Sequence, residues 1–355
     1  SSSAASDVYK RQIYTLHYTA QPTDGKDVKA AERCSLWVDL LTGEPVPFEE
    51  MIQDLSVAGL VYIGETHSIK RHHEVQEQIV RALSNPDRKI LLGLEQMEAF
   101  YQEQLDRYNK KEIEFDTLAK ETGWGKRWSN YRDYREVMEA VREGGGHAVA
   151  LNARLETVRA VARDGTAALK EDDPDLPAMV LYPDEPYAAL LRKRMNVHGF
   201  VDRPALLENM VTAQMVRDEA MAQNLSRYMV KEEYRNHITV VLAGSGHVSF
   251  GMGIPDRLRK RMPAIKDRVV LISDSGDLRL STHQRAIARD SGITREDLKA
   301  VGRPVARRNS ARPFPRDFAK SGSFFGPMTS RATTSININS GIPMPNIPSP
   351  NPRKN

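Results

Sequence analysis

Residues 58–67 read AGLVYIGETH, an apolar run that ends abruptly in polar residues. The apolar part, 60–63, has the length and composition of a buried strand, and Gly64 ends it. The period then changes, because apolar side chains recur at Val75, Ile79 and Leu83 with helical spacing. A buried strand that leads into an amphipathic helix is typical of α/β proteins.

The same alternation of strand and helix continues along the chain. We expect further strands at 37–41, 90–94, 148–151, 238–243 and 268–272. We expect helices at 48–55, 72–83, 97–108, 131–143, 155–163 and 204–229, and an irregular, proline-containing segment at 171–200. This alternation predicts an α/β domain at 35–280, with a largely parallel sheet flanked by helices on both faces.

Polar residues follow several of these strands directly. They are Glu65, His67, Glu95, Asn152, Arg154 and His247. Ligands of open parallel sheets bind beyond the carboxyl ends of the strands. We therefore expect these side chains to converge on one cleft. Two imidazoles, two carboxylates, an amide and a guanidinium are costly to bury unless they pair with a ligand or with one another.

This set of side chains suits either metal binding or acid–base catalysis. His67, Glu95 and His247 are candidate metal ligands, because imidazole binds zinc and iron and a nearby carboxylate can orient it. Glu65 or Glu95 is instead a candidate general base. The glycines that let the backbone turn and approach a ligand closely are Gly64, Gly244 and Gly246.

Several longer segments resemble the ChaN-type family of haem-binding proteins. They are GETHSIKRHHEVQ (64–76), GLEQMEAFYQEQLDRY (93–108), WGKRWSNYRDY (124–134), ALNARLETVRAVARDG (150–165), MVTAQMVRDEAMAQNL (210–225) and LAGSGHVSFGMGIPDRL (242–258). The likeness runs in order over about residues 35–275. That family is similar to the Tiki proteases, TraB proteins and erythromycin esterases, which share two GxxH elements and an intervening Glu. Here these are Gly64 with His67, then Glu95, then Gly244 with His247.

The resemblance implies a haem-binding protein of bacterial iron or haem uptake or trafficking. It also implies that haem is held as a face-to-face pair in a homodimer, with a tyrosinate as ligand of the iron. The implied location is the periplasm or the cell envelope. A lipid anchor at the natural N-terminus would then be the contact with the membrane.

Haem, iron protoporphyrin IX, needs an apolar slot, an axial ligand and cations for its propionates. The irregular segment supplies apolar side chains together with tyrosine and histidine. Tyr187 and His198 match positions where the family carries Tyr and His, so they are the axial-ligand candidates, and Tyr182 is a further candidate for contact with the cofactor. Arg192 or Lys193 is expected to pair with the propionates.

The predicted helix at 204–229 carries Arg217 on an otherwise apolar stripe. Because a buried Arg needs an anion or a carbonyl as partner, we expect Arg217, with Gln214 or Asp218, to lie beside the His/Glu cleft and its cofactor. Further aromatic and histidine side chains are candidates for the wall of the cleft: Trp124, Trp128, Tyr131, Tyr134, His72 and His73. The alternative interpretation is that the aromatic residues belong to the ordinary core and that the two histidines lie on the surface.

An enzyme is the alternative to a binding protein. A metal-dependent hydrolase, similar to the Tiki and erythromycin-esterase relatives, would use His67, Glu95 and His247. The sequence contains no GxSxG nucleophile motif.

The two ends of the chain differ from its middle. Residues 281–355 carry 13 Lys/Arg against 4 Asp/Glu and contain 9 of the 20 prolines, so we expect a disordered basic tail. The remainder is acidic, and nucleic acid is not an expected partner. Residues 1–12, SSSAASDVYKRQ, resemble a translated adapter sequence. We therefore expect the natural start, with any signal peptide or lipid-modified cysteine, to lie upstream.

Overall fold

An eight-stranded sheet forms the centre of the protein. The computed structural model describes residues 12–17, 35–40, 44–169, 184–196 and 203–273. The strands are β1 (Gln12–His17), β2 (Ser35–Asp39), β3 (Glu44–Val46), β4 (Leu60–Glu65), β5 (Ile90–Glu98), β6 (His147–Asn152), β7 (Ile238–Gly244) and β8 (Asp267–Ser273). Their order is β3-β2-β1-β8-β4-β7-β5-β6. The strands from β1 to β6 in this order are parallel, whereas β2 is antiparallel to β1 and to β3.

Helices cover both faces of the sheet, as the sequence predicted. They are α1 (Phe48–Val57), α2 (Lys70–Leu83), α3 (Gln102–Asn109), α4 (Phe115–Glu121), α5 (Trp124–Arg127), α6 (Arg135–Glu143), α7 (Leu155–Asp164), α8 (Glu185–Asn196), α9 (Pro204–Met229) and α10 (Ile254–Arg261). Alternate residues of each strand point to opposite faces. Val61 and Ile63 accordingly pack with α1, α2 and α6. Leu60 and Tyr62 pack with α9 and α10 on the other face.

Three expectations about the elements need correction. The helix expected at 97–108 begins only at Gln102, because β5 continues through Glu98 and a 3-10 turn follows at Ala99–Tyr101. The segment expected to be irregular contains the helix α8. The sheet also begins before the expected domain start at residue 35, since β1 pairs with β2 and β8. The tail at 281–355 lies outside the described residues.

The strand order determines which side chains meet. β4, β7, β5 and β6 are neighbours and run parallel, so their carboxyl ends lie side by side at one edge. The pairing of β5 with β6 is regular up to Leu94 and resumes at Glu98 after a shift in register. Glu95 therefore lies in a bulge, a feature that commonly re-aims a side chain near a functional site.

Candidate functional site

The carboxylate of Glu95 lies at the centre of the strand ends and is fully buried. Its Oε1 atom accepts a hydrogen bond of 2.5 Å from Nη2 of Arg217, which lies on α9. Nε2 of His247, just after β7, lies 3.2 Å from the same oxygen. The second oxygen accepts a 2.6 Å hydrogen bond from the backbone N–H of Gly244. One carboxylate therefore joins β5, β7 and α9.

His67 lies on one side of Glu95 and is oriented by a second buried carboxylate. Its Nδ1 donates to Oε1 of Glu65 over 2.7 Å, and its Nε2 lies 3.7 Å from Oε1 of Glu95. Glu65 also accepts hydrogen bonds from Gln96, over 3.0 Å, and from Tyr134, over 2.5 Å. These contacts fix the position of the His67 ring within the site.

Two further donors reach Glu65 from helix α2. Gln76 donates to Oε2, and Nδ1 of His73 lies 3.2 Å from the same oxygen. Burial by itself raises the pKa of Glu65, but the hydrogen bonds from His67 and His73 outweigh it and lower that pKa well below its usual range. Glu65 is therefore a buried carboxylate ion held by side chains from three elements.

His247 lies on the other side of Glu95 and is held between two carboxylates. Its Nδ1 donates to Oδ1 of Asp218, on α9, over 2.6 Å. The remaining oxygen of Asp218 accepts a 2.8 Å hydrogen bond from the hydroxyl of Tyr187, on α8. The oxygen of that hydroxyl also lies 3.1 Å from the carbonyl oxygen of Gly246. A continuous chain of polar contacts therefore links Glu95 to α8.

The charges in this chain reinforce one another. Burial lowers the pKa of His247, but Glu95 and Asp218 together raise it to about 9. Burial has the opposite effect on Glu95, because it raises the pKa of a carboxyl group. The charges of His247 and Arg217 outweigh this effect and hold the pKa of Glu95 well below the usual carboxyl range. At neutral pH the site therefore contains an imidazolium between two carboxylates.

Arg217 and Asn152 complete the surroundings of Glu95. Nε of Arg217 donates to Oδ1 of Asn152 over 3.3 Å, and the Asn152 amide nitrogen donates to the carbonyl oxygen of Glu95 over 2.8 Å. Both were predicted from the sequence to lie in the cleft. Arg154 was predicted with them, but its guanidinium carbon lies 4.2 Å from the centre of the exposed Phe100 ring, in a cation–π contact.

Two of the three predicted glycines are required by close packing. A Cβ atom on Gly244 would lie 2.7 Å from Nε2 of His67. A Cβ atom on Gly64 would lie 2.7 Å from the Leu271 side chain and 3.2 Å from the backbone of Ser245. A Cβ atom on Gly246 would meet only side-chain atoms at 3.9 Å or more, so packing does not demand a glycine there.

An open cleft lies beside Glu95. Its lining combines charged groups with an aromatic and aliphatic wall. The lining residues are Glu95, Gln96, Glu98, Arg127, Trp128, Asn152, Ala153, Leu155, Val158 and Arg217. The indole of Trp128 packs edge-on against the ring of His67, with ring centres 4.7 Å apart. Trp128 therefore lies between the cleft and the imidazole that Glu65 orients.

Tyr187 does not have the surroundings of an axial ligand. Its side chain is fully buried, and its hydroxyl is used by Asp218 and Gly246. Burial and the neighbouring carboxylate raise the pKa of this phenol well above 10, which opposes formation of a tyrosinate. The two other sequence candidates, Tyr182 and His198, lie outside the described residues.

The part of the chain that the structure describes contains no set of ligands for the divalent metal that the sequence predicted. Within those ranges no group of three or more His, Cys, Asp or Glu side chains is arranged to hold a metal ion. His247 has a carboxylate oxygen at each ring nitrogen, so both nitrogens carry protons and neither offers a lone pair.

Some members of the site were not predicted. Gln96 and Gln76 both donate to Glu65, and neither was singled out from the sequence. The signal for Gln76 was present, because it shares the buried side of α2 with Ile79 and Val80. A polar side chain on a buried helix face needs a partner. Gln96 gave no such signal, because the residues after Leu94 were interpreted as a loop and a helix.

We predict that His247 stays protonated well above neutral pH. Its folded pKa of about 9 exceeds the ordinary value of 6.5. The resulting contribution to stability is complete below about pH 6.5 and is lost as pH rises through about 9. Asp218→Asn should move the His247 pKa towards 6.5. NMR of protein with labelled histidine measures the pKa of His247. His237 is the internal control, because burial and the charge of Lys89 lower its pKa, the opposite direction to His247. Titration of His247 below pH 6.5 would contradict the proposed geometry.

Comparison with known proteins places this geometry in a family. The family model described as "Haem-binding uptake, Tiki superfamily, ChaN" matches residues 51–258. Among curated proteins, the chain is 26% identical over 251 residues to Protein RETICULATA-RELATED 5, chloroplastic, of Arabidopsis thaliana. That alignment covers 65% of this chain and 34% of the relative, so the chain spans about a third of the relative's length.

The fold has a counterpart among solved structures. The structure described as "Cofacial heme binding to ChaN of Campylobacter jejuni" matches with a TM-score of 0.56 and 23% sequence identity. The match covers 67% of this chain and 90% of that one, and at this identity it supports the fold. The family match spans more than half of the chain and includes Glu65, His67, Glu95, Arg217 and His247. The chain therefore belongs to the ChaN family of haem-binding uptake proteins in the Tiki superfamily.

Proposed function

We propose that this protein binds haem at the cleft beside Glu95 and serves haem or iron uptake or trafficking. The observation that carries the proposal is that the family match, 51–258, contains every residue that lines the cleft. It also contains the charged residues buried at the strand ends, which we call the buried cluster: Glu65, His67, Glu95, Arg217, Asp218 and His247. The Campylobacter jejuni protein with the similar fold is described as binding haem cofacially. Haem is accordingly the ligand that best explains a cleft in this place.

The residues that line the cleft fit part of a haem. Trp128, Leu155 and Val158 provide an aromatic and aliphatic wall, which suits the face of a porphyrin. When bound, haem would supply an iron centre whose axial positions take a protein ligand.

The buried cluster has a supporting role in this proposal. Glu95, Arg217 and His247 bond to one another, so they hold the strand ends and helix α9 in place behind the cleft. The chain from His247 through Asp218 to Tyr187 holds α8 at the same edge. We propose His198 or Tyr182 as axial ligand in place of Tyr187.

The metal-dependent hydrolase is not favoured by the geometry. It needs His67, Glu95 and His247 as an open set of ligands, but His247 and Glu95 are engaged with Asp218, Arg217 and the Gly244 N–H. The family match also points to binding of haem.

We predict that the apo-protein shifts the Soret band of haemin with a saturable, one-to-one titration. His198→Ala or Tyr182→Phe, whichever removes the axial ligand, should change the band position. Tyr187→Phe should keep the wild-type spectrum, because its hydroxyl bonds to Asp218. Tyr228→Phe, at the opposite end of the sheet, is the matched control. A wild-type spectrum identical to that of free haemin would overturn the proposal.

We also propose that two copies of the chain hold their haems face to face. The support is the cofacial binding described for the Campylobacter jejuni protein. Sedimentation velocity should show the mass of a dimer once haem is added. A haem-saturated monomer at micromolar concentration would rule out the paired arrangement while leaving haem binding intact.

The proposed compartment is the periplasm or cell envelope, as the family resemblance implies. In the described ranges no helix combines the length and apolar character needed to cross a membrane. The Arabidopsis relative is named as a chloroplastic protein, so similar sequences occur outside bacteria.

A further inference from the structure

Three buried polar atoms on the cleft wall have no hydrogen-bond partner in the described part of the chain. They are Nη1 of Arg217, Oε1 of Gln96 and Nε1 of Trp128. The three residues are only 2%, 4% and 8% exposed, so bulk water does not readily replace the missing partners. Buried donors and acceptors without partners are rare in folded proteins, and such groups beside a cleft point to a ligand.

The guanidinium of Arg217 is used on one side only. Nη2 donates to Glu95 and Nε donates to Asn152, so these two bonds fix the plane of the group. Nη1 remains available as a charged donor in a desolvated place. A charged N–H group forms its strongest hydrogen bonds with a carboxylate or phosphate oxygen.

The other charges at the cleft are paired with one another. Nη1 of Arg127 donates to Glu98 over 2.6 Å, and its Nη2 donates to Glu156 over 3.0 Å. Burial raises the pKa of Glu98 although Arg127 acts against it, which reduces the cost of a second carboxylate nearby. Glu95 is compensated by Arg217 and by His247, which is protonated at neutral pH. An incoming anion therefore meets no uncompensated negative charge on this wall.

We propose that Nη1 of Arg217 binds a carboxylate of the ligand, whose apolar body lies against Trp128, Leu155 and Val158. The identity of that ligand rests on the proposed function, and for haem the carboxylate is a propionate. Gln96 Oε1 is an acceptor, so it suits a water molecule that bridges to the same carboxylate.

One of the two cations expected from the sequence, Arg192, is less suitable. Arg192 is bonded to Glu185 over 2.6 Å and to Glu208 over 2.7 Å on the surface of the protein. Its guanidinium is therefore already matched by two carboxylates. Arg217 lines the cleft and keeps one donor, Nη1, for a ligand.

Binding of haem and of haem dimethyl ester, in which both propionates are esterified, tests this inference. Wild type should bind haem about tenfold or more tightly than the ester, because one charge-assisted hydrogen bond is lost. Arg217→Lys keeps a cation for Glu95 but has no second nitrogen in the place of Nη1. The variant should therefore bind haem and the ester with similar affinity. Arg163→Gln removes an exposed charge from α7 and should behave as wild type.

The outcomes separate this inference from the proposed function. A wild type that binds neither compound overturns haem binding itself. Equal binding of both compounds by wild type, with Arg217→Lys unchanged, overturns the role of Arg217 alone. A purely structural effect of Arg217→Lys would weaken both compounds and preserve their ratio, which also contradicts the inference. If Arg217→Lys fails to fold, a crystal structure of the wild-type complex decides, and a propionate oxygen about 3 Å from Nη1 is expected.

Discussion

A carboxylate without contact to water is the constraint on which the structure depends. Glu95 is ionised and fully buried, and an unpaired charge in that position would be strongly destabilising. Its partners come from α9 and from the end of β7: Arg217, His247 and the N–H of Gly244. These elements must therefore be in place together before the charge is compensated. The bulge in β5 provides the local geometry, because it aims Glu95 inward at the edge of the sheet.

The same constraint extends in two directions from Glu95. On one side, Glu65 orients His67 and ties it to α2 and β5. On the other side, His247 donates a hydrogen bond to Asp218, and Asp218 accepts one from Tyr187 on α8. These two bonds hold α8 in place. The cleft wall is formed by members of this cluster, by the ends of β5 and α5 with Trp128, and by the first turns of α7. A change of charge in the core would therefore change the shape of the ligand site. The fold and the site depend on the same set of bonds.

Much of this arrangement was predictable from the sequence. The apolar runs with polar ends predicted parallel strands, and parallel strands bring their carboxyl ends together, so the meeting of His67, Glu95 and His247 followed. Arg217 was predicted because a cation on an apolar helix stripe needs a partner. The role of Tyr187 beside the buried cluster was not predicted, because its hydrogen bond to Asp218 joins positions 31 residues apart and depends on how α8 docks. Local pattern carries no information on such a contact, and the polar residues that continue β5 likewise gave no strand signal.

The role of the buried Glu95 carboxylate is tested by the free energy of unfolding of Glu95→Gln, measured in urea at pH 7. We expect a loss of about 3 to 5 kcal/mol, because Arg217 and His247 would then lose their buried anion. Glu98→Gln is the matched control, since Glu98 lines the same cleft and pairs with the partly exposed Arg127; its loss should be about 1 kcal/mol or less. Similar small losses in both variants would show that the buried carboxylate does not organise the strand ends.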